Sequence, residues 1–302
     1  EKPLLALSDD NMELRKTAIS KFEQFLEKYP NKKQGAEIRF QLAEIYFEKA
    51  SEKYLEDQEE QDVLLEQNPG LELGPILVDM ARSVRLYEEI VNRFPQSDVT
   101  DGALYMLGFC LGKGNFEGND EERSIAYFEQ LLSDYPESNF AAETHYVVGE
   151  HYFNINELEI ARDNFFKAVS LSQPNEGEYV GQYEYALYRL AWTFYRMEEY
   201  STSLTLFTQL QDYSVRKERD TGQPVDAMEE SLEYTAFSFI DIAIDEGTEA
   251  LEVGKKFYED NGDRDYSSGV FVAMADILER QKLNYESVDI YRYLQEKWPY
   301  AP

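Results

Sequence analysis

One pattern recurs along the chain and limits what it can fold into: a small residue, an aromatic four places later, an apolar residue three after that, and a proline five further on. It stands as Ala18/Phe22/Phe25/Pro30, Ser83/Tyr87/Ile90/Pro95, Ser124/Phe128/Leu131/Pro136 and Ser287/Tyr291/Leu294/Pro299. Steps of four and three place these side chains on one stripe of an α-helix, and the proline marks where the helix must stop. Three further copies lack the proline at that place: Ala161/Phe165/Ala168 with Pro174 one position late, Ser203/Phe207/Leu210, and Ala250/Gly254/Phe257 followed by Gly262.

Twelve residues ahead of the small residue lies a second pattern, apolar, small, then bulky three later. Val148/Gly149/Tyr152 precedes Ala161, Leu190/Ala191/Phe194 precedes Ser203, and Met274/Ala275/Leu278 precedes Ser287. Phe237/Ser238 precedes Ala250 by the same step, with Asp241 at the bulky place. Leu107/Gly108/Leu111 precedes Ser124 with four extra residues in the turn from Lys113 to Glu122. Leu42/Ala43/Tyr46 precedes Ser83 with 28 extra residues, containing the acidic run Glu56 to Asp62 and the breakers Pro69, Gly70, Gly74 and Pro75. A small residue on each of two helices at a fixed separation lets them cross closely, as a helical hairpin requires.

These residues resemble the tetratricopeptide repeat, whose pattern is Leu-Gly, Tyr, Ala, Phe, Ala and a terminal Pro. Val148 to Pro174 matches it with Gly149, Tyr152, Ala161, Phe165 and Ala168 in register, and His145 stands where that family often has Trp. The resemblance implies an all-α, right-handed superhelical solenoid of antiparallel helix hairpins. It covers residues 1–302 as a single array of about six hairpins plus a leading helix, with an insertion at 47–77. The expected helices are 12–28, 35–62, 77–93, 100–112, 120–134, 139–154, 157–171, 180–197, 200–212, 227–245, 247–260, 267–281 and 284–297. Tyr213 to Val225, with Arg216, Lys217 and Arg219, reads as a basic linker. Glu296-Lys297-Trp298-Pro299 repeats Glu27-Lys28-Tyr29-Pro30, and residue 1 is not Met, so the expectation is a piece of a longer repeat protein.

Charge narrows the partners. Sixty Asp and Glu against 29 Lys and Arg give a net charge of −31. Nucleic acid and anionic membrane surfaces need a basic face that this chain lacks. With 43% hydrophobic residues, including 23 Tyr, 18 Phe and 2 Trp, the chain is nevertheless apolar enough to fold. No run of apolar residues reaches the length needed to cross a bilayer.

Residues for chemistry are sparse. His145 and His151 are six apart, whereas a metal pair on one helix face needs three or four. Cys110, beside the tight Gly108 crossing, reads as a buried and inert thiol. The acidic loop Glu259 to Asp265 lacks the ligand order of a calcium loop. Phosphate-binding glycine loops, nucleophile elbows and His-Glu-x-x-His are missing from the sequence, so the chain is expected to be no enzyme and to need no metal or cofactor.

What remains is surface. In the family it resembles, the first helix of each hairpin lines the concave side. Counted from its small residue, the inward places carry Tyr105 and Phe109 in the second hairpin and Glu143, Tyr146, Glu150, Phe153 and Asn154 in the third. In the fourth they carry Tyr185, Tyr188, Trp192, Tyr195 and Arg196. The fifth contributes Leu232, Thr235, Phe239 and Ile242, and the sixth Asp276, Glu279 and Arg280. Rings with a polar handle suit partner binding. The expected partner-binding residues are therefore Tyr105, Phe109, Tyr146, Glu150, Phe153, Tyr185, Tyr188, Trp192 and Tyr195, and the expected partner is a protein or peptide of basic character. The alternative for the same rings is packing between adjacent first helices.

Phe22 to Pro30 and Tyr127 to Ser138 look like the repeats of bacterial cell-envelope proteins: partners of outer-membrane barrel assembly, of the Tol-Pal system, and scaffolds of motility machines. The resemblance implies a periplasmic, non-catalytic interaction scaffold of an envelope complex, with the cytoplasm as the other compartment open. Two rival functions stand beside it. One is a regulatory or peptide-sensing arm of a larger enzyme or secretion complex; the other is a solenoid binding a glycan or small molecule on Trp192 and its tyrosines.

Overall fold

The computed structural model describes residues 9–116, 118–224 and 227–299, with side chains from Glu13 onward. Val225, the end of the expected basic linker, lies outside the described residues. Among these residues there are thirteen α-helices and no strand, only an isolated bridge between Val78 and Phe116. The helices are α1 (Asp9–Lys28), α2 (Gly35–Gln67), α3 (Ala81–Arg93), α4 (Thr100–Leu111), α5 (Glu121–Asp134), α6 (Ala141–Asn154), α7 (Leu158–Leu171), α8 (Gly181–Arg196), α9 (Tyr200–Thr221), α10 (Met228–Glu246), α11 (Ala250–Asn261), α12 (Ser267–Arg280) and α13 (Asn284–Lys297). The chain forms two compact units, residues 1–144 and 145–302. None of the described helices is long and apolar enough to cross a membrane.

In the first unit α2 pairs with α3 and α4 with α5, while α1 lies against α2. The crossing of α4 and α5 shows why the repeat needs small residues. A Cβ on Gly108 would stand 2.6 Å from the Phe128 ring, and Ser124 Oγ donates to the Gly108 carbonyl at 2.6 Å. Ring, glycine and serine thus make one contact, in which the serine satisfies a polar group that the crossing buries. Ala36, Ala43, Tyr87, Ile90, Ala103, Leu107 and Cys110 fill the core around it. The proline also has a partner: the Pro30 carbonyl accepts from Arg39 Nη2 at 3.2 Å and from Arg93 Nη2 at 3.0 Å. Arg39 is buried and balanced by Glu89 at 2.7 Å.

The second unit repeats the scheme. A Cβ on Gly149 of α6 would stand 2.7 Å from the Phe165 ring of α7, and Ser203 Oγ of α9 donates to the Ala191 carbonyl of α8 at 3.0 Å. Where the aromatic place holds Gly254 in α11, rings arrive from α12 and α10 instead. Phe271 and Phe239 would lie 2.9 and 3.5 Å from its Cβ.

The turns between paired helices are also built to a rule. Asn156, Glu198, Lys282 and Gly247 all adopt the left-handed conformation, with φ between 62° and 66°. The next residue's N–H then reaches back over the helix end: Glu157 to the Tyr152 carbonyl (2.8 Å), Glu199 to Phe194 (3.0 Å), Leu283 to Leu278 (2.9 Å) and Thr248 to Ala243 (2.9 Å). This closes the last carbonyls of the first helix and turns the chain by a fixed amount.

Three boundaries differ from expectation by four residues or more. The helix expected to end at 62 runs to Gln67, because no glycine or proline interrupts it before Asn68-Pro69. Its partner starts at Ala81, not 77, since Val78 is held in the bridge to Phe116 and its N–H donates to the Asn115 carbonyl at 2.8 Å. The expected basic linker is helix as far as Thr221. Tyr213 is buried there, Lys217 meets Glu184 at 2.7 Å, and Gly222 at φ 71° ends the helix.

Candidate functional site

Seven of the nine residues singled out from the sequence lie in the second unit. Glu150 is clasped by Arg189: Nη2 donates to Oε2 at 2.9 Å and Nε to Oε1. The Arg189 guanidinium stacks over Phe153 (4.2 Å), and Arg196 lies over the same ring at 4.4 Å. Phe153 is buried and meets Trp192 at 5.8 Å, while Tyr146 packs on Phe165 at 5.8 Å.

Trp192 and Tyr195 then converge on a ring the sequence reading missed. Tyr234 of α10 lies 4.9 Å from Trp192, 5.4 Å from Tyr195 and, stacked, 5.9 Å from Phe207. Tyr195 also donates to Asp241 at 2.6 Å. Asp241 stood out in sequence as the one acid at a bulky place in an apolar stretch, a polar residue needing a partner. Tyr188 packs on Phe207 at 6.3 Å. Tyr185 is different: it is 54% exposed.

The electrostatics follow burial. Desolvation raises Glu150 above the ordinary carboxylate value, and Arg189 and Tyr146 pull the other way. Burial also raises Asp241, against the hydrogen bond from Tyr195, and pushes Tyr146 up to about 12. These groups sit in a half-dry layer where the rings fill the space between first helices.

The remaining two residues lie in the first unit. Tyr105 stacks on Phe140 at 4.6 Å, with Phe128 at 5.9 Å and Phe109 at 6.4 Å. Burial, then a hydrogen bond to Glu143, raises its phenol. Phe109 is partly open and carries Lys113 over its face at 4.5 Å.

Further along the second unit, α10 and α12 leave an opening. A cleft of about 790 Å³ is lined by Glu229, Leu232, Glu233, Gly269, Val272, Ala273, Asp276, Glu279 and Arg280, all from α10 and α12. Its lining sets Leu232, Val272 and Ala273 among four carboxylates and one arginine, which is itself paired to Glu233 at 2.7 Å. Tyr291 donates to Asp276 at 2.5 Å, and its own phenol is pushed up to about 12 chiefly by that bond. The sequence reading placed Leu232, Asp276, Glu279 and Arg280 on this face without ranking it first.

Among the described residues no three His, Cys, Asp or Glu side chains converge on a position where a metal could sit. His145 is buried, bonded through Nδ1 to Asn164 at 2.8 Å, and burial lowers its pKa. Cys110 is buried, which pushes its thiol up to about 12.

Paired helices, close crossings and rings between first helices define a helical-hairpin repeat protein. The family described as tetratricopeptide repeat matches residues 102–138 and 185–214, so the α4–α5 and α8–α9 hairpins match that repeat. Among solved structures, the chain is similar to the C-terminal part of a repeat-containing protein of this kind from Cytophaga hutchinsonii, with 12% identity over 96% of this chain and 93% of that one (TM-score 0.48). A tetratricopeptide repeat protein from Parabacteroides merdae is 14% identical over 95% and 88% (TM-score 0.42). The apo quorum sensor NprR from B. thuringiensis is 14% identical over 94% and 84% (TM-score 0.40). No curated protein matches the chain in sequence.

Proposed function

We propose that the chain is a non-catalytic protein-interaction scaffold whose second unit holds a basic partner segment along the inward face of its first helices. Hairpin repeats offer long concave surfaces suited to extended segments. The observation that carries this reading is the α10–α12 cleft, where Glu229, Glu233, Asp276 and Glu279 outnumber Arg280 beside Leu232, Val272 and Ala273. Exposed Tyr185 on α8 extends the contact, while Trp192, Tyr188, Tyr195 and Phe153 hold the first helices in place beneath it. The likeness of Phe22 to Pro30 and Tyr127 to Ser138 to envelope repeats supports a bacterial envelope complex as its setting. The test is a titration with a short peptide of alternating Lys and Ala. Asp276→Asn/Glu279→Gln should weaken its binding about tenfold and reduce the salt dependence; equal affinity for variant and wild type would overturn the reading.

A further inference from the structure

The first unit carries a projection whose far end, past Tyr54 on the core and Glu52 on Arg15, packs little against its own fold. From the crossing residue Ala43, α2 continues 24 residues to Gln67, whereas α4, α6, α8 and α12 end within five residues of theirs. At 1.5 Å per residue α2 is about 50 Å long against about 20 Å for α3, so its far half extends past its partner. Every residue from Asp62 to Pro75 is exposed, including Val63 (50%), Leu64 (46%), Leu65, Leu71 and Leu73. From Glu52 to Gln67, leading into and through the start of this tip, the helix holds seven Asp or Glu and a single Lys, with Glu52 paired to Arg15 and Asp57 to Lys53.

The segment is rich in good helix formers and has one favourable pair, Lys53 with Asp57 at 2.5 Å, but little else holds its far end. An isolated segment of this length is marginal in water, and Glu56/Glu60 and Asp62/Glu66 place like charges four residues apart. The returning segment is tied down by the Val78 N–H donating to the Asn115 carbonyl at 2.8 Å and by Gln61 donating to the Gly74 carbonyl at 3.0 Å. The result is an apolar tip of five large side chains on an acidic stalk.

We infer that this projection is a second docking element, and that its occupant is a partner protein presenting an apolar groove rimmed by Lys and Arg. Charge decides among the occupants. A second copy would set one acidic stalk beside another, and an anionic bilayer would repel both. A basic rim would instead neutralise the stalk while the groove covers Val63, Leu64, Leu65, Leu71 and Leu73.

The test uses the full chain and a labelled Leu/Lys amphipathic helical peptide as the probe, with a Ser/Lys peptide of equal charge as control. Wild type should bind the Leu/Lys peptide at least tenfold tighter than the control. Val63→Gln/Leu64→Gln/Leu65→Gln, which keeps good helix formers at exposed places, should lose that preference. Glu59→Gln/Glu60→Gln/Asp62→Asn/Glu66→Gln should weaken binding about tenfold with the tip intact, and the same loss should appear when these changes are made in an Asp276→Asn/Glu279→Gln background, where the α10–α12 cleft no longer competes for the probe. Equal binding by wild type and both α2 variants would overturn the inference. So would self-association of the wild type that the tip variant abolishes, since the occupant would then be a second copy.

Discussion

The ring of Phe165 fills the space where a Cβ on Gly149 would stand, with 2.7 Å between them. In the other unit Phe128 does the same at Gly108 (2.6 Å). Alanine is ordinarily the better helix former by about 1 kcal/mol, so the ring decides the sign. Gly149→Ala and Gly108→Ala should each destabilise their unit by about 1–3 kcal/mol, as overpacking of a fixed core does. Adding Phe165→Leu to Gly149→Ala should recover part of the loss. Urea denaturation checks this, and a stabilised Gly149→Ala would contradict it.

Glu198 and Lys282 hold left-handed turns at φ 62° and 66° that glycine adopts without a Cβ penalty. Glu198→Gly and Lys282→Gly should each raise stability by about 0.5–1 kcal/mol despite the added freedom of the unfolded chain. A lower melting temperature would show that those side chains hold something the turn needs.

Trp192 lies between Phe153 and Tyr234. Trp192→Ala should therefore cost about 2–4 kcal/mol. Tyr185→Ala should change stability by less than about 0.5 kcal/mol and still weaken partner binding. Loss of binding without loss of stability in Trp192→Ala would place that ring in the contact surface.

The carboxyls of Glu150 and Asp241 sit above their ordinary values because burial disfavours their charge. A carboxyl raised in the folded state binds more protons there than in the unfolded chain. Its contribution is present at acid pH and is lost as pH rises through the folded value. The melting temperature should increase as pH is lowered from neutral toward the ordinary carboxylate range. Asp241→Asn, which still accepts from Tyr195, should flatten that increase, and an unchanged slope would contradict the account.

The hairpin helices were legible because their signals are local. Ser124 with Phe128, or Ala161 with Phe165, announces a helix face, and Pro95 or Pro136 its end. The length of α9 was not, because Arg216 and Lys217 look like a polar linker until Glu184 and the buried Tyr213 are in place. Left-handed turns at Glu198 and Lys282 were hidden by residues that are not glycine. The bridge of Val78 to Phe116 joins two insertions far apart in sequence, which no periodicity reports. Tyr234 escaped because it lies four residues before Ser238, outside the inward places, and packs against neighbours on α8 and α9.

A basic segment lying in the α10–α12 cleft is tested most directly by photo-crosslinking. A Lys/Ala peptide carrying a photoreactive group should label residues between Glu229 and Arg280, with labelling suppressed by salt and by Asp276→Asn/Glu279→Gln. Labelling confined to other faces of the chain, or unaffected by that variant, would contradict it.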